Sequence, residues 1–214
     1  MEGDPPPQLF MSPGVSSNME AIAALERDAQ LMLRVKEGDG DSFAELLEKY
    51  RSSVVSYLYR MVQNQSVAEE LAQEVFLRVY RSRTTYEPTA KFTTWLFRIA
   101  THLALNSLRD RRNQRNQESL DQELNGAPLF QVADRRRNRE QEMLIETRLE
   151  EIRRAVAGLP DKQRAAVLMH KYEELDYLQI GAVLGCSTSA VKSLLFRAYE
   201  TLRGRLQHMA AGVA

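Results

Sequence analysis

Apolar residues recur three and four positions apart along most of the chain, and no stretch alternates convincingly at period two, which predicts helices and no sheet. After the capping pattern Ser17-x-x-Glu20, Ile22, Leu25, Ala29 and Met32 share one face, predicting a helix over 18–36 that closes on polar Lys36. Residues 37–41, Glu-Gly-Asp-Gly-Asp, are turn formers. A second capping box, Ser42-x-x-Glu45, opens a stripe of Phe43, Leu46, Leu47, Tyr50, Val54, Tyr57, Leu58 and Met61, a helix to about 62. A third, Ser66-x-x-Glu69, precedes Ala68, Leu71, Ala72, Val75, Phe76 and Val79, a helix to about 82. Thr84 to Lys91 contains Pro88 and reads as a loop. Trp95, Leu96, Ile99, Ala100, Leu103 and Leu108 then place a fourth helix over 93–112.

The pattern lapses over 113–138, a stretch rich in Asn, Gln, Arg and Asp with Gly126 and Pro128, where Leu120, Leu129 and Phe130 are scattered. This is a linker between two helical halves. Periodicity resumes near 139 with Ile145, Leu149, Ile152, Val156 and Leu159, and is stopped by Gly158 and Pro160. A helix over 161–172 follows. Between Tyr177 and Arg203 comes the strongest local signal. Ile180, Gly181 and Leu184 form one face of a short helix, and Gly185 supplies a turn position that tolerates positive φ. Ser187 can cap the next helix, whose inner face is Val191, Leu194, Leu195 and Ala198. Gly181 lacks a side chain where the two helices would cross. Together these describe a helix-turn-helix, whose second helix enters the major groove N-terminal end first. Its outward positions are Thr188, Ser189, Lys192, Ser193, Phe196 and Arg197, hydroxyls and cations suited to phosphates and base edges. A helical hairpin with no DNA role remains the bland alternative.

Composition sharpens this only through the placement of charge. The 214 residues carry 29 basic and 29 acidic side chains, a net charge of zero, which argues against a polycationic DNA coat. Yet 98–115 holds Arg98, Arg109, Arg111, Arg112 and Arg115 against Asp110, and 190–205 holds Lys192, Arg197, Arg203 and Arg205 against Glu200. Local basic segments in a neutral chain can bind phosphate without coating the molecule. Residues 1–28 run acidic, and 1–16, with Pro5, Pro6, Pro7 and Pro13, read as a disordered leader. Cys186 is the sole cysteine, so neither an intramolecular disulfide nor a cysteine-based zinc cluster is expected. No apolar run is long enough to insert in a membrane and no secretory signal opens the chain, so a cytoplasmic location is expected. His102, His170 and His208 lie far apart with no ligand pairing; His102 is expected to pack within its helix and the other two to face solvent. No phosphate loop or metal-ligand spacing is present, so no catalytic residue, metal or cofactor is assigned and an enzyme is not expected.

The motifs resemble a known family. Leu159-Pro160-Asp161-Lys162-Gln163-Arg164, Tyr177-x-x-Ile180-Gly181, Leu184-Gly185-Cys186 and Val191-Lys192-Ser193 with Arg197-Ala198 look like the C-terminal domain of extracytoplasmic-function sigma factors. Ala68-Glu69-Glu70-Leu71-Ala72-Gln73-Glu74-Val75-Phe76-Leu77 resembles their core-polymerase-binding helix, and Phe92-Thr93-Thr94-Trp95-Leu96-Phe97-Arg98-Ile99-Ala100 their promoter-melting segment. The resemblance covers about 29–112 and 139–206. It implies an all-helical chain of two small domains: a leader over 1–28, a polymerase- and −10-binding domain over 29–112, a flexible linker over 113–138, a −35-binding helix-turn-helix domain over 139–206 and a tail over 207–214. It also implies core RNA polymerase and promoter DNA as partners, and allows an anti-sigma factor.

By this resemblance Glu70, Gln73, Glu74 and Leu77 face polymerase. Tyr86, Lys91, Phe92, Trp95, Arg98, Asn106, Arg109, Arg111 and Arg112 hold or melt the −10 element. Thr188, Ser189, Lys192, Ser193, Phe196 and Arg197 read the −35 element. The physics agrees for the first group, since Glu70, Gln73, Glu74, Leu77 and Arg81 form a stripe opposite the Ala68/Leu71/Val75 face. The chain departs from the family pattern at Gly181, where Ala is usual, at Ala190, where Thr is usual, and in a recognition helix with apolar or aromatic residues at Leu194, Phe196 and Tyr199. A conventional helix-turn-helix regulator would account for 139–206 but leave the Glu70 stripe and the Trp95 segment unexplained; binding to core polymerase separates the two.

Overall fold

The structure, a computed structural model, describes residues 26–118 and 139–211. The capping box at Ser17 and most of the 113–138 linker lie outside them. In the first half, α1 (Arg27–Lys36), α2 (Gly40–Val62), α3 (Gln65–Arg81), a 3₁₀ turn (Ser82–Thr85) and α4 (Phe92–Glu118) follow one another. In the second come α5 (Arg139–Ala157), α6 (Asp161–Tyr172), α7 (Tyr177–Leu184) and α8 (Thr188–Ala211). Among the described residues there is no strand, as the period of three and four requires.

Helix starts are where the sequence reading needs correction. Glu26 is extended (φ −53°, ψ 142°), so α1 begins at Arg27 and the expected 18–36 helix is not continuous through residue 26; its 18–25 part lies outside the described residues. α2 begins at Gly40 because Asp39, not Ser42, is its cap. The Asp39 carboxylate accepts from the amides of Asp41 and Ser42, and the Ser42 hydroxyl donates to it at 2.7 Å. That hydroxyl bond, with the amide bonds, holds the Asp39 carboxyl below its ordinary pKa. A carboxylate three residues upstream outcompetes the serine because it accepts two amides and sits well in the helix dipole. At α3 the cap is likewise Asn64, accepting from Val67 N at 3.0 Å, not Ser66. Gln63, in the left-handed region (φ 54°), ends α2 and turns the chain.

The core of the first half is the expected stripe. Val54, Tyr57, Leu58, Met61, Ala68, Val75, Leu96 and Ala100 are all fully buried. One buried carboxylate, Asp28, is compensated by Lys49 Nζ at 2.6 Å and by the Tyr50 hydroxyl, as a charge removed from water requires.

The helix-turn-helix forms as the sequence foretells. Asp176 and Gln179 make a reciprocal capping box at the start of α7. Gly185 takes φ 65°, and the Cys186 amide donates to Gly181 O at 3.0 Å. Ser187 Oγ accepts from Ala190 N at 3.2 Å and caps α8. Gly181 sits under the turn, where an added Cβ would lie 2.7 Å from Cys186 O.

The two halves pack on each other. α7 lies along α4, while α5 and α6 touch the C-terminal part of α2. Buried apolar residues of both halves form one contiguous cluster. Arg164 of α6 is buried and donates to Met61 O across the junction, and to Ala157 O and Leu159 O within its own half. Thr101 of α4, fully buried, shares a hydrogen bond with the Tyr57 hydroxyl at 2.7 Å and reaches Met169 Sδ at 3.9 Å. Arg112 of α4 pairs with Asp161 of α6 at 2.8 Å. α4 runs to Glu118, six residues into the expected linker, and α8 to Ala211, five residues into the expected tail.

Candidate nucleic-acid and polymerase interface

Three faces bear the candidate residues. On α3, burial of Ala68, Ala72, Val75 and Val79 turns the opposite side outward. Glu70, Gln73 and Leu77 are exposed there, and Glu74 is half-buried. Leu77 keeps 48% of its surface in solvent, an apolar side chain inside a polar stripe. Glu74 accepts from Arg78 Nε at 2.7 Å, and that bond holds its carboxyl below the ordinary value. Tyr80, 43% exposed, extends the apolar part of this face, packing on Phe43 (5.1 Å between ring centres) under the Arg83 guanidinium. The sequence reading omitted Tyr80 because it lies off the i, i+3, i+4 core stripe that draws attention to aromatics.

The second face is α4 and the loop before it. Lys91, Arg98, Asn106, Arg109 and Arg112 are exposed, and Asn106 accepts from Arg109 at 3.2 Å. Arg111 is half-buried, near Val62 O at 3.4 Å. Two aromatics need correction. Tyr86 and Phe92 are 3% and 1% exposed and belong to the core, so they offer no stacking surface in this conformation. They form one side of a ring cluster, Tyr86–Trp95 at 4.9 Å and Phe92–Trp95 at 5.9 Å, and Trp95 alone of the three reaches partway to solvent. A short loop closing over a helix start must be filled from beneath by large side chains, and Tyr86 and Phe92 do this. The buried Tyr86 hydroxyl has no partner among the described residues, and burial pushes its pKa up to about 12. His102 is exposed rather than packed within α4.

The third face is the outer side of α8. Val191, Leu195 and Ala198 are buried on the side of α8 that packs on α6 and α7, which leaves Thr188, Ser189, Lys192, Ser193, Phe196 and Arg197 all exposed. Lys192, Ser193, Phe196 and Arg197 line a shallow concavity, and Phe196 is 68% exposed. An aromatic of that size left in solvent between two cations is not a core position. Behind it, His170 stacks on Tyr177 at 5.4 Å and meets the Tyr199 hydroxyl at 3.3 Å, while His208 pairs with Glu151 at 3.1 Å. His208 is exposed, as expected from sequence, whereas His170 is half-buried against its two tyrosine partners. Among the described residues no single helix is long and apolar enough to cross a membrane.

These features define a helical protein with a DNA-binding helix-turn-helix in one half and, in the other, an exposed acidic-apolar helix face. Comparison with known proteins agrees and goes further. The sigma-70 region 2 family model matches residues 46–114, and the sigma-70 region 4 model matches 149–202. The chain is 30% identical over 178 residues to the ECF RNA polymerase sigma factor SigW of Bacillus subtilis, covering 82% of this chain and 95% of that one. It is 33% identical over 186 residues to RNA polymerase sigma factor CarQ of Myxococcus xanthus, covering 86% and 99%. Among solved structures, CnrH in complex with the cytosolic domain of CnrY superposes with a TM-score of 0.62 at 16% identity, covering 86% of this chain and 99% of that one. The sigma factor RpoE of Bartonella quintana, solved with the anti-sigma factor NepR, gives 0.60 at 19% identity, covering 77% and 96%; both likenesses speak to the fold. The chain belongs to the extracytoplasmic-function family of RNA polymerase sigma factors. As such it works with core RNA polymerase and promoter DNA to direct transcription initiation.

Proposed function

We propose that the three faces divide the work of initiation. The α3 face, Glu70, Gln73, Glu74 and Leu77, docks on core polymerase. Lys91 just before α4, half-buried Trp95 and the exposed α4 residues Arg98, Asn106 and Arg109 engage the −10 element and its melted strand, with Trp95 the one aromatic of the three that can stack on an unpaired base. The outer α8 residues read the −35 element, phosphates through Lys192 and Arg197 and base edges through the same cations and Ser189 or Ser193. The single observation that carries this reading is that one chain exposes both a cation-flanked recognition helix and a separate Leu77-centred face on α3. A conventional regulator needs only the first.

The same reading makes residues 29–112 and 139–206 the functional units and assigns the chain a non-enzymatic role in the cytoplasm. An anti-sigma factor fits as a further partner, as with the structural neighbour RpoE, solved with the anti-sigma factor NepR. The test is reconstitution of the full chain with core polymerase and run-off transcription on genomic fragments. Promoter-dependent transcripts that start at fixed sites are expected. Specific DNA binding without core association would instead favour the conventional regulator.

A further inference from the structure

The last residue of α1 makes a contact that none of the three faces uses. A lysine in the final turn of a helix ordinarily serves that helix's own carbonyls. Lys36 reaches out of α1, and its ammonium donates to Tyr86 O at 3.1 Å, 50 residues away in sequence. Tyr86 stands where the chain leaves the 3₁₀ turn for the loop before α4. Its amide donates to Arg83 O at 3.3 Å, and its buried ring lies 4.9 Å from that of Trp95. The 3₁₀ turn itself packs on α1. Beyond Tyr86, the side chains of Glu87, Thr89, Ala90 and Lys91 are exposed. Lys36 therefore ties the loop to α1 at the point where it leaves the body of the first half.

We propose that Lys36 is a positioning residue for promoter opening: through the Tyr86 carbonyl it fixes the Tyr86 ring, and through that ring the half-buried Trp95, in the orientation that receives an unpaired base. The base-stacking role of Trp95 belongs to the functional reading above, on which this proposal rests.

The physical ground is preorganisation. A carbonyl beside a buried ring needs a donor, and water supplies one without fixing the backbone. Lys36 supplies a charge-assisted bond from a helix anchored by buried Leu31, Met32 and Val35. Sliding Tyr86 along Trp95 breaks that bond. A stacking platform already held in its working orientation needs no ordering when DNA arrives. The competing role for an exposed cation here is a direct phosphate contact. The two differ in salt dependence: removing a phosphate contact lowers the salt slope of log affinity by about one, whereas removing a tie to a carbonyl leaves it unchanged.

Trp95 is the sole tryptophan, so its fluorescence reports the platform in the full chain without polymerase or DNA. Lys36→Met keeps the apolar stem and loses the donor; Lys36→Arg keeps a donor and the charge. Acrylamide quenching of Trp95 is expected to rise in Lys36→Met and to return toward wild type in Lys36→Arg, with the helical content of all three the same. The holoenzyme is then tested on a promoter recovered by genomic run-off transcription, with 2-aminopurine in its −10 element to read opening. Lys36→Met should open it about fivefold less, as the loss of one net hydrogen bond allows, at unchanged core affinity and salt slope. Wild-type quenching in Lys36→Met overturns the proposal, and so does altered quenching with normal opening. A salt slope lower by about one would make Lys36 a phosphate contact instead. Trp95→Ala keeps this proposal distinct from the reading beneath it. Normal opening in Trp95→Ala sinks the stacking role itself, whereas impaired opening there beside normal opening in Lys36→Met sinks the Lys36 tie alone.

Discussion

Arg164 is the residue on which both halves close. Its guanidinium is removed from water, which pulls its pKa down against the opposing pull of Asp161, yet it remains a cation with carbonyl oxygens on both sides of the junction. Arg164→Met keeps much of the apolar stem but leaves the carbonyls of Met61, Ala157 and Leu159 without their donor. Unsatisfied buried carbonyls and lost charge-assisted bonds should cost about 2–4 kcal/mol, read as a lower urea midpoint at unchanged m-value. An unchanged midpoint would mean that water replaces the guanidinium at no cost. Gly181 makes an equally sharp case. The family pattern favours alanine there, but here a Cβ would sit 2.7 Å from Cys186 O, a backbone atom that cannot swing aside. Gly181→Ala should therefore lower stability by about 1–3 kcal/mol and loosen the α7–α8 turn. A melting temperature equal to wild type would show that the turn relaxes freely.

At the scale of elements, the α3 face separates binding from folding. Gln73 is exposed, and Glu74 joins a surface pair with Arg78 of the i,i+4 kind, worth only about 0.3–0.5 kcal/mol. Replacing Gln73 and Glu74 together with alanine should weaken association with core polymerase several-fold while moving stability by no more than about 0.5 kcal/mol. Competition for core polymerase and a thermal melt on the same sample decide it. A large loss of stability would make this face part of the core. The helix that carries it was legible in the sequence, because period and stripe come from burial on one side, and the same holds for α2, α6 and the helix-turn-helix. Starts were less legible: Ser42 and Ser66 look like caps, but Asp39 and Asn64 stand just upstream with better acceptors, and a capping box cannot reveal a stronger competitor outside itself. Nor could sequence distinguish a stacking aromatic from a supporting one. Tyr86, Phe92 and Trp95 are equivalent as letters, and only the loop's closure over α4 sends two of them inward. On α8 the exposed set was readable in full, since three buried positions at helical spacing fix the opposite face. Its chemistry gives a measurement: each phosphate contact made by Lys192 or Arg197 releases counterions, so each alanine variant should lower the salt slope of log affinity of the holoenzyme for its promoter by about one. Variants with wild-type slope and wild-type sequence preference would remove α8 from the DNA.

At the scale of the whole molecule, the least legible feature was the contact between halves. A polar stretch between two helical patterns argues for separate domains on a tether, and each half carries its own stripe and caps. What the pattern hides is that Thr101, Met169 and Arg164, each buried, belong to neither core alone. Apolar burial across a junction is indistinguishable in sequence from burial within a half, because both leave the same letters at the same spacing. The consequence can be tested by severing the chain. A protease site inserted within 119–138 and cut after purification leaves two pieces held only by the junction. If the halves were independent bodies, the pieces would part on gel filtration. The shared cluster, the Arg164 bridge and the Arg112–Asp161 pair instead require that the pieces elute together near the position of the uncut chain. Arg164→Met should release them, because it removes the buried charged bridge without touching either promoter face. Co-elution in wild type with release in the variant locates the closure in the junction. Separate elution of the wild-type pieces would show that the 113–138 segment alone keeps the halves together.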